Sequence, residues 1–172
     1  TLVPKTTLQT AIGVRHPQRF AVVAELLRER GIPFVRRSSN APVPADIDIV
    51  LGDSMGEMPG YFAAADVAFI GGSLLPLGGQ NLIEPISMGR PTLIGPHMFN
   101  FAEAAAGAIA AGAAIEVADA PALLGAVAAL LEGKVARDGR PTAYVCERGV
   151  CALPTTDPDT MARLLAKTTP LP

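Results

Sequence analysis

Apolar residues fall along the chain in two alternating rhythms, short consecutive runs and longer stretches with helical spacing. A first strand is expected to end near Ala11 to Val14. From Pro17 to Arg30, Phe20, Val23, Ala24 and Leu27 share one helical face while Arg28, Glu29 and Arg30 stay in water, so a helix is predicted there. Gly31 ends it as a left-handed cap. A strand follows at Pro33 to Arg36, then a proline-rich surface loop from Ser38 to Asp46 and a buried strand at Ile47 to Leu51. Gly52 to Gly56 turns the chain into a helix running to about Ala65. Val67 to Ile70 is the next strand, followed by the glycine-rich loop Gly71 to Gly79 and a short helix, Leu82 to Met88, stopped by Gly89. Pro91 to Ile94 (strand), Phe101 to Ala111 (helix), Ala114 to Val117 (strand) and Pro121 to Leu131 (helix) complete the series. This alternation is the signature of an α/β fold with a parallel sheet covered by helices.

The rhythm stops at Gly133. Residues 1–132 therefore read as one domain and 133–172 as an atypical C-terminal tail, with a strand and a short helix from Asp159 to Lys167. Composition narrows the class. The chain has 172 residues, 49% hydrophobic and 17% charged, which is enough for one domain with a real core. A net charge of −2 gives no basic field for a nucleic-acid backbone, so no nucleic-acid partner is expected. No apolar stretch reaches the roughly 18 residues of a membrane span; the nearest, Ala104 to Ile115, reads as a core helix and the loop after it. The opening TLVPKTTLQT shows no signal peptide. Cys146 and Cys151 are too few for a disulfide framework or a zinc site, and their spacing is not that of a C-x-x-C redox motif. Buried thiols and a cytoplasmic location are the expectation. No metal and no cofactor are expected, since no acidic ligand cluster stands out.

In open parallel sheets, ligands sit where strands end and loops enter helices. Three of these exits carry the same device: Ser54-x-x-Glu57, Asn81-x-x-Glu84 and Asn100-x-x-Glu103 each match a capping box. For Asn100 and Glu103 capping alone is the favoured reading, and for Ser54 and Glu57 capping and ligand binding stand level. At Asn81 and Glu84 the surroundings favour a ligand. GGSLLPLGGQNLIEP sets four glycines before the helix, letting backbone N–H groups approach an anion, and the helix dipole favours negative charge there. Glu84, one turn in, could accept hydrogen bonds from ribose hydroxyls. Arg15, His16 and Arg19 lie at the first exit. A guanidinium suits a phosphate or a sugar carboxylate, and a solvated charge is the plain alternative. His16 reads as a hydrogen bonder at a helix start. His97 reads first as a loop histidine satisfied by backbone, with a sugar contact as the lesser alternative. The sequence contains no GxGxxG, no P-loop and no HExxH.

Five of these segments together resemble a known family. RHPQRF at Arg15 to Phe20, LGDSMGE at Leu51 to Glu57, DVAFIGGSL at Asp66 to Leu74, GGQNLIEP at Gly78 to Pro85 and GPHMFNF at Gly95 to Phe101 follow the order and spacing of the 3-deoxy-D-manno-octulosonic acid (Kdo) transferases, across about residues 14–131. The resemblance implies one Rossmann-like half of a GT-B glycosyltransferase, the half that binds the donor CMP-Kdo. Carried over, the nucleotide contacts fall on Val14, Arg15, Met55, Gly56, Glu57, Asn81, Leu82, Ile83 and Glu84, with His97 as a sugar contact. Where the family has proline before the arginine, this chain has Val14.

The resemblance further implies transfer of Kdo to lipid A in lipopolysaccharide biosynthesis. The acceptor, a lipid A precursor, and the catalytic base belong to an N-terminal domain that this chain lacks. No catalytic residue is therefore expected in the chain, and no turnover by it alone. In the full-length enzyme the location would be the cytoplasm or the cytoplasmic face of the inner membrane. A non-catalytic nucleotide-binding module, or another GT-B enzyme such as a nucleotide-sugar epimerase, are the alternatives. The tail, PTAYVCERGVCALPTTDPDTMARLLA, resembles instead the C-terminal end of a thioredoxin-domain family, which points to a spliced or frame-joined gene product.

Overall fold

The computed structural model describes residues 10–44, 46–132, 146–147, 150–151, 155–157, 159–160 and 163. The chain divides into two compact units, Thr1–Leu130 and Leu131–Pro172. The first holds strands β1 (Thr10–Gly13), β2 (Val35–Arg36), β3 (Ile49–Gly52), β4 (Ala68–Phe69), β5 (Thr92–Ile94) and β6 (Ala114–Glu116). Between and after them lie helices α1 (Phe20–Glu29), α2 (Met58–Ala64), α3 (Ile83–Ser87), α4 (Ala102–Ala110) and α5 (Ala120–Leu131). Every strand pairing in this unit is parallel, as the alternation predicts. The strands form two three-stranded sheets rather than one, in the orders β1-β3-β2 and β4-β5-β6.

Glycine stops the helices by one repeated device. After α1, Gly31 at φ +63° donates to Arg28 O and Ile32 donates to Leu27 O. Gly89 and Arg90 make the same pair of bonds after α3, and Gly112 and Ala113 after α4. This is the Schellman arrangement, which satisfies the last carbonyls of a helix and turns the chain at once toward the next strand. The predicted α1 begins with a short 3-10 turn, Pro17–Arg19, with Pro17 in the first position, where a helix has no use for an N–H.

The core of the second sheet is built by Ile70, Leu82, Ile94, Met98, Ala105 and Ala114, with Ile86, Phe101, Ala104 and Ala108 packed against it. Leu82 is completely buried although it immediately precedes the exposed turn of α3. Burial of a leucine is worth roughly 1.5–3 kcal/mol. Leu82 therefore nails the start of α3 to the sheet, while its neighbours Ile83 and Glu84 face water.

The glycine-rich loop is closed on itself and laced to the loop after β5. Gly79 N–H donates to Gly72 O at 3.1 Å. Ser73, fully buried, donates its hydroxyl to Ile70 O and accepts from Gly95 N–H at 2.8 Å. Its carbonyl accepts from His97 N–H, and Gly78 O accepts from Asn100 N–H. A Cβ on Gly95 would lie 2.3 Å from Ser73 O, so these backbones touch only because residue 95 is glycine.

The second unit contributes β7 (Cys146–Glu147) and β8 (Val150–Cys151), an antiparallel pair with Cys146 opposite Cys151 in register. The tail thus has two short strands where the sequence pattern predicts one. Asp157 caps the start of the last helix, accepting from Asp159 N–H, Thr160 N–H and the Thr160 hydroxyl. Residues 161, 162 and 164–167 of that predicted helix, the opening residues 1–9, and the burial of the two thiols lie outside the described residues. No helix among the described residues is long and apolar enough to cross a membrane.

Ser73 gives the first prediction. Removing its hydroxyl leaves the buried Gly95 N–H without a partner, at a cost of about 1–3 kcal/mol. Urea unfolding of Ser73→Ala should show a midpoint lowered by that cost divided by the m-value, with the m-value itself unchanged.

Candidate functional site

The exits of β1 and β3 and the start of α3 meet around α2. Gly13 ends β1, and a Cβ there would come within 2.7 Å of Met58 Sδ; Gly52 ends β3, and a Cβ there would meet Tyr61 Oη at 2.9 Å. Two strand-end glycines therefore let α2 lie close over the ends of β1 and β3, and α2 also packs against α3. Val14 extends the β1 pairing by one bond, donating its N–H to Gly52 O at 3.2 Å.

Arg15 follows, exposed, and its Nη1 donates to Gln80 Oε1 at 3.2 Å. This contact spans 65 residues and brings the first exit to the residue just before Asn81. Among the described residues Arg15 has no carboxylate partner, so its charge is available to an anion. His16 is exposed and its side chain makes no capping bond; its contribution to the turn is its carbonyl, which accepts from Arg19 N–H.

Asn81 and Glu84 form a compact polar pair. Asn81 Oδ1 accepts from Ile83 N–H at 3.0 Å, and its Nδ2 donates to Glu84 Oε1 at 2.9 Å. Asn81 thus caps the helix start through a turn two residues long rather than through the reciprocal bonds of a capping box. One of the first-turn donors is used internally, and α3 is only five residues long. The helix-end attraction for an anion is correspondingly reduced, and Arg15 becomes the principal positive group. Leu82, expected among the contacts, has its side chain in the core, so only its backbone is available to a ligand. Ile83 is 55% exposed and Glu84 is exposed.

The other two capping boxes do not form. The helix after Ser54 begins only at Met58, because Gly56 at φ +78° carries the turn onward. Ser54 instead donates its hydroxyl to Glu57 Oε2, and Arg37 Nη2 holds Glu57 Oε1 at 2.8 Å. Met55 stands 62% exposed beside them. At the third exit, Asn100 is used through its backbone, bonded to Gly78 O, and α4 has no side-chain cap. The cap that sequence reading missed is Asp119, whose carboxylate accepts from Ala122 N–H at 2.8 Å at the start of α5. His97 is half-buried, held by its N–H to Ser73 O, with no side-chain hydrogen bond among the described residues.

The largest group missed is the network around Asp53. Its side chain is buried, and Oδ2 accepts from Arg36 Nε at 2.6 Å and from the Ser38 hydroxyl at 2.6 Å. Oδ1 accepts from Ser38 N–H at 2.8 Å. Burial pushes the Asp53 carboxyl up, but the Ser38 hydroxyl and N–H bonds, with Arg36 behind them, outweigh it and hold it below its ordinary value. A sequence signal existed: an aspartate directly after an apolar strand must find donors, and Arg36-Arg37-Ser38 at the exit of the neighbouring strand supplies them. Among the described residues no group of three or more His, Cys, Asp or Glu converges to hold a metal ion.

The chain is similar to 3-deoxy-D-manno-octulosonic acid transferases. It is 55% identical over 107 residues to that of Bordetella pertussis, covering 62% of this chain and 25% of the relative. It is 42% identical over 125 residues to that of Haemophilus influenzae, covering 72% of this chain and 29% of the relative. The chain spans about a quarter of the length of these curated relatives. Among solved structures, the C-terminal CMP-Kdo binding domain of WaaA from Acinetobacter baumannii superposes with a TM-score of 0.69 at 34% identity, over 73% of this chain and 66% of that one. No protein-family model matches the chain.

Asp53 supplies a pH prediction. Its depressed native value means that its contribution to stability is complete above the ordinary carboxylate value of about 3.9. That contribution declines as pH falls below this value and is gone below the native one. Thermal melts from about pH 6 to pH 3 should therefore fall more steeply with acid for the wild-type chain than for Asp53→Asn. Asp53→Asn should also be the less stable at neutral pH, by roughly 1–3 kcal/mol.

Proposed function

The chain belongs to the Kdo transferase family, and from that membership we propose that it is the donor-binding half, holding CMP-Kdo at the exits of β1 and β3 and the start of α3. The observation that carries this reading is the contact between Arg15 and Gln80. It ties a guanidinium that has no carboxylate partner among the described residues to Gln80, the residue just before the hydrogen-bonded Asn81–Glu84 pair. A nucleoside monophosphate has the matching chemistry, an anionic phosphate joined to a ribose rich in hydroxyl donors.

In the proposed reaction a hydroxyl of a lipid A precursor attacks the anomeric carbon of Kdo, the bond from that carbon to the phosphate oxygen breaks, and CMP leaves. Negative charge grows on the departing phosphate, and Arg15 stabilises it with backbone N–H groups at the α3 start. Glu84 and Glu57 orient ribose and base and transfer no proton. Val14, Met55, Gly56, Asn81, Leu82 and Ile83 shape the same pocket, Leu82 through its backbone, and His97 is set to meet the sugar. Acceptor binding and the catalytic base are assigned to the part of the relatives that the match does not reach. The work of the complete enzyme on a lipid precursor would take place at the cytoplasmic face of the inner membrane. Unit two carries no assigned role in this reaction.

Titrating the chain with CMP, followed by amide chemical shifts, should move resonances around Arg15, Gly56 and Asn81, and should do so more strongly than UMP or UDP-GlcNAc. Glu84→Ala should weaken CMP by roughly ten-fold. Arg15→Ala should weaken CMP but leave cytidine, which has no phosphate, unaffected. Equal affinity for UMP would favour a general nucleotide-binding module. The 172 residues alone should transfer no Kdo to a lipid A precursor; measurable transfer would overturn the division of labour between the two halves.

A further inference from the structure

Glu57 differs from Glu84 in how it is held. Among the described residues Glu84 meets a single side chain, Asn81, whereas both oxygens of Glu57 are taken by protein donors, Arg37 Nη2 on one and the Ser54 hydroxyl on the other. Arg37 lies 20 residues away, at the exit of β2, and is outside every motif that carries the family resemblance.

Its placement is fixed from both sides. Arg36 before it and Ser38 after it are bonded to the buried carboxylate of Asp53, Arg36 at 2.6 Å and Ser38 through both its N–H and its hydroxyl. Asp53 in turn belongs to the β3 exit that leads to Glu57. Nη1 of Arg37 donates to Asn40 Oδ1, and Asn40 adopts the left-handed conformation at φ +50° that closes this short turn. The guanidinium thus spans from Asn40 to Glu57 with two of its nitrogens committed.

Stability alone does not account for such a pair. The Arg37 and Glu57 side chains are 41% and 37% exposed, and ion pairs at that exposure add little to folding. Their geometric effect is larger. A glutamate has several rotatable bonds, and a fixed fork removes that freedom before a ligand arrives. We propose that Arg37 is a positioning residue for nucleoside binding: anchored through Asp53, it fixes the orientation of the Glu57 carboxylate without touching the ligand. This rests on the proposed nucleotide-binding role of Glu57.

The test is a double-mutant cycle on the full chain, with CMP and cytidine affinities measured by calorimetry. Arg37→Ala should weaken CMP and cytidine by the same factor, roughly five- to twenty-fold, with the melting temperature little changed. In a Glu57→Ala background the same substitution should have no further effect, because nothing remains to be oriented. Arg37→Lys should recover part of the affinity. A penalty seen with CMP but absent with cytidine would mean that Arg37 meets the phosphate, and independent, additive effects of the two substitutions would mean that it acts elsewhere; either overturns the proposal. If Glu57→Ala binds CMP as tightly as wild type while Glu84→Ala does not, the proposal falls but the donor-binding reading stands. If neither variant weakens CMP, the reading falls with it.

Discussion

The candidate site depends on backbone meeting backbone where a side chain would not fit. At Gly95 a Cβ would overlap Ser73 O, at Gly78 it would overlap the Asn100 side chain, and at Gly79 it would overlap Met98 Sδ. Gly78 and Gly79 also have positive φ, at +89° and +72°. Space and conformation both demand glycine there. With these contacts made, the loop from Gly72 closes on itself, and Gln80, Asn81 and Glu84 emerge at fixed points on the rim. Leu82 supplies the opposing anchor from within the core. The result is a polar rim whose side chains face water but whose backbone has little freedom, so the entropy of ordering it is met in folding rather than in binding.

The opposite side of the site uses another device. Asp53 gathers donors from the exit of β2 onto the exit of β3, and the hydrogen bonds to its carboxylate outweigh the cost of burying it. The two sides meet through the packing of α2 against α3 and through a hydrogen bond between the exposed side chains of Arg15 and Gln80. One flank is thus rigid because of glycine and the other because of a satisfied buried charge.

Much of this was legible in the sequence because it rests on local signals. The alternation of apolar runs and helical faces gave the order of strands and helices. Gly31, Gly89 and Gly112 end helices by a mechanism that acts within a few residues. Long-range matters were hidden. Ser-x-x-Glu and Asn-x-x-Glu at three exits look alike on paper, yet the structure uses them differently. Ser54 and Glu57 bond to each other under the pull of Arg37, Asn81 caps two residues on, and Asn100 is recruited through its backbone by the glycine loop. Capping is decided by where the helix begins, and Gly56 delays α2 to Met58. Asp53 and its partners are 15 and 17 residues apart, beyond the reach of any local pattern. The same holds for the division of the strands into two sheets, which is set by pairing between strands and not by the strands themselves.

We propose that a nucleoside monophosphate lies between Arg15 and the Asn81–Glu84 pair. A crystal of the chain soaked with CMP tests it most directly. Phosphate density is expected within hydrogen-bond distance of the Arg15 guanidinium, with ribose hydroxyls on the Glu84 carboxylate. Well-defined nucleotide density away from both residues would contradict it.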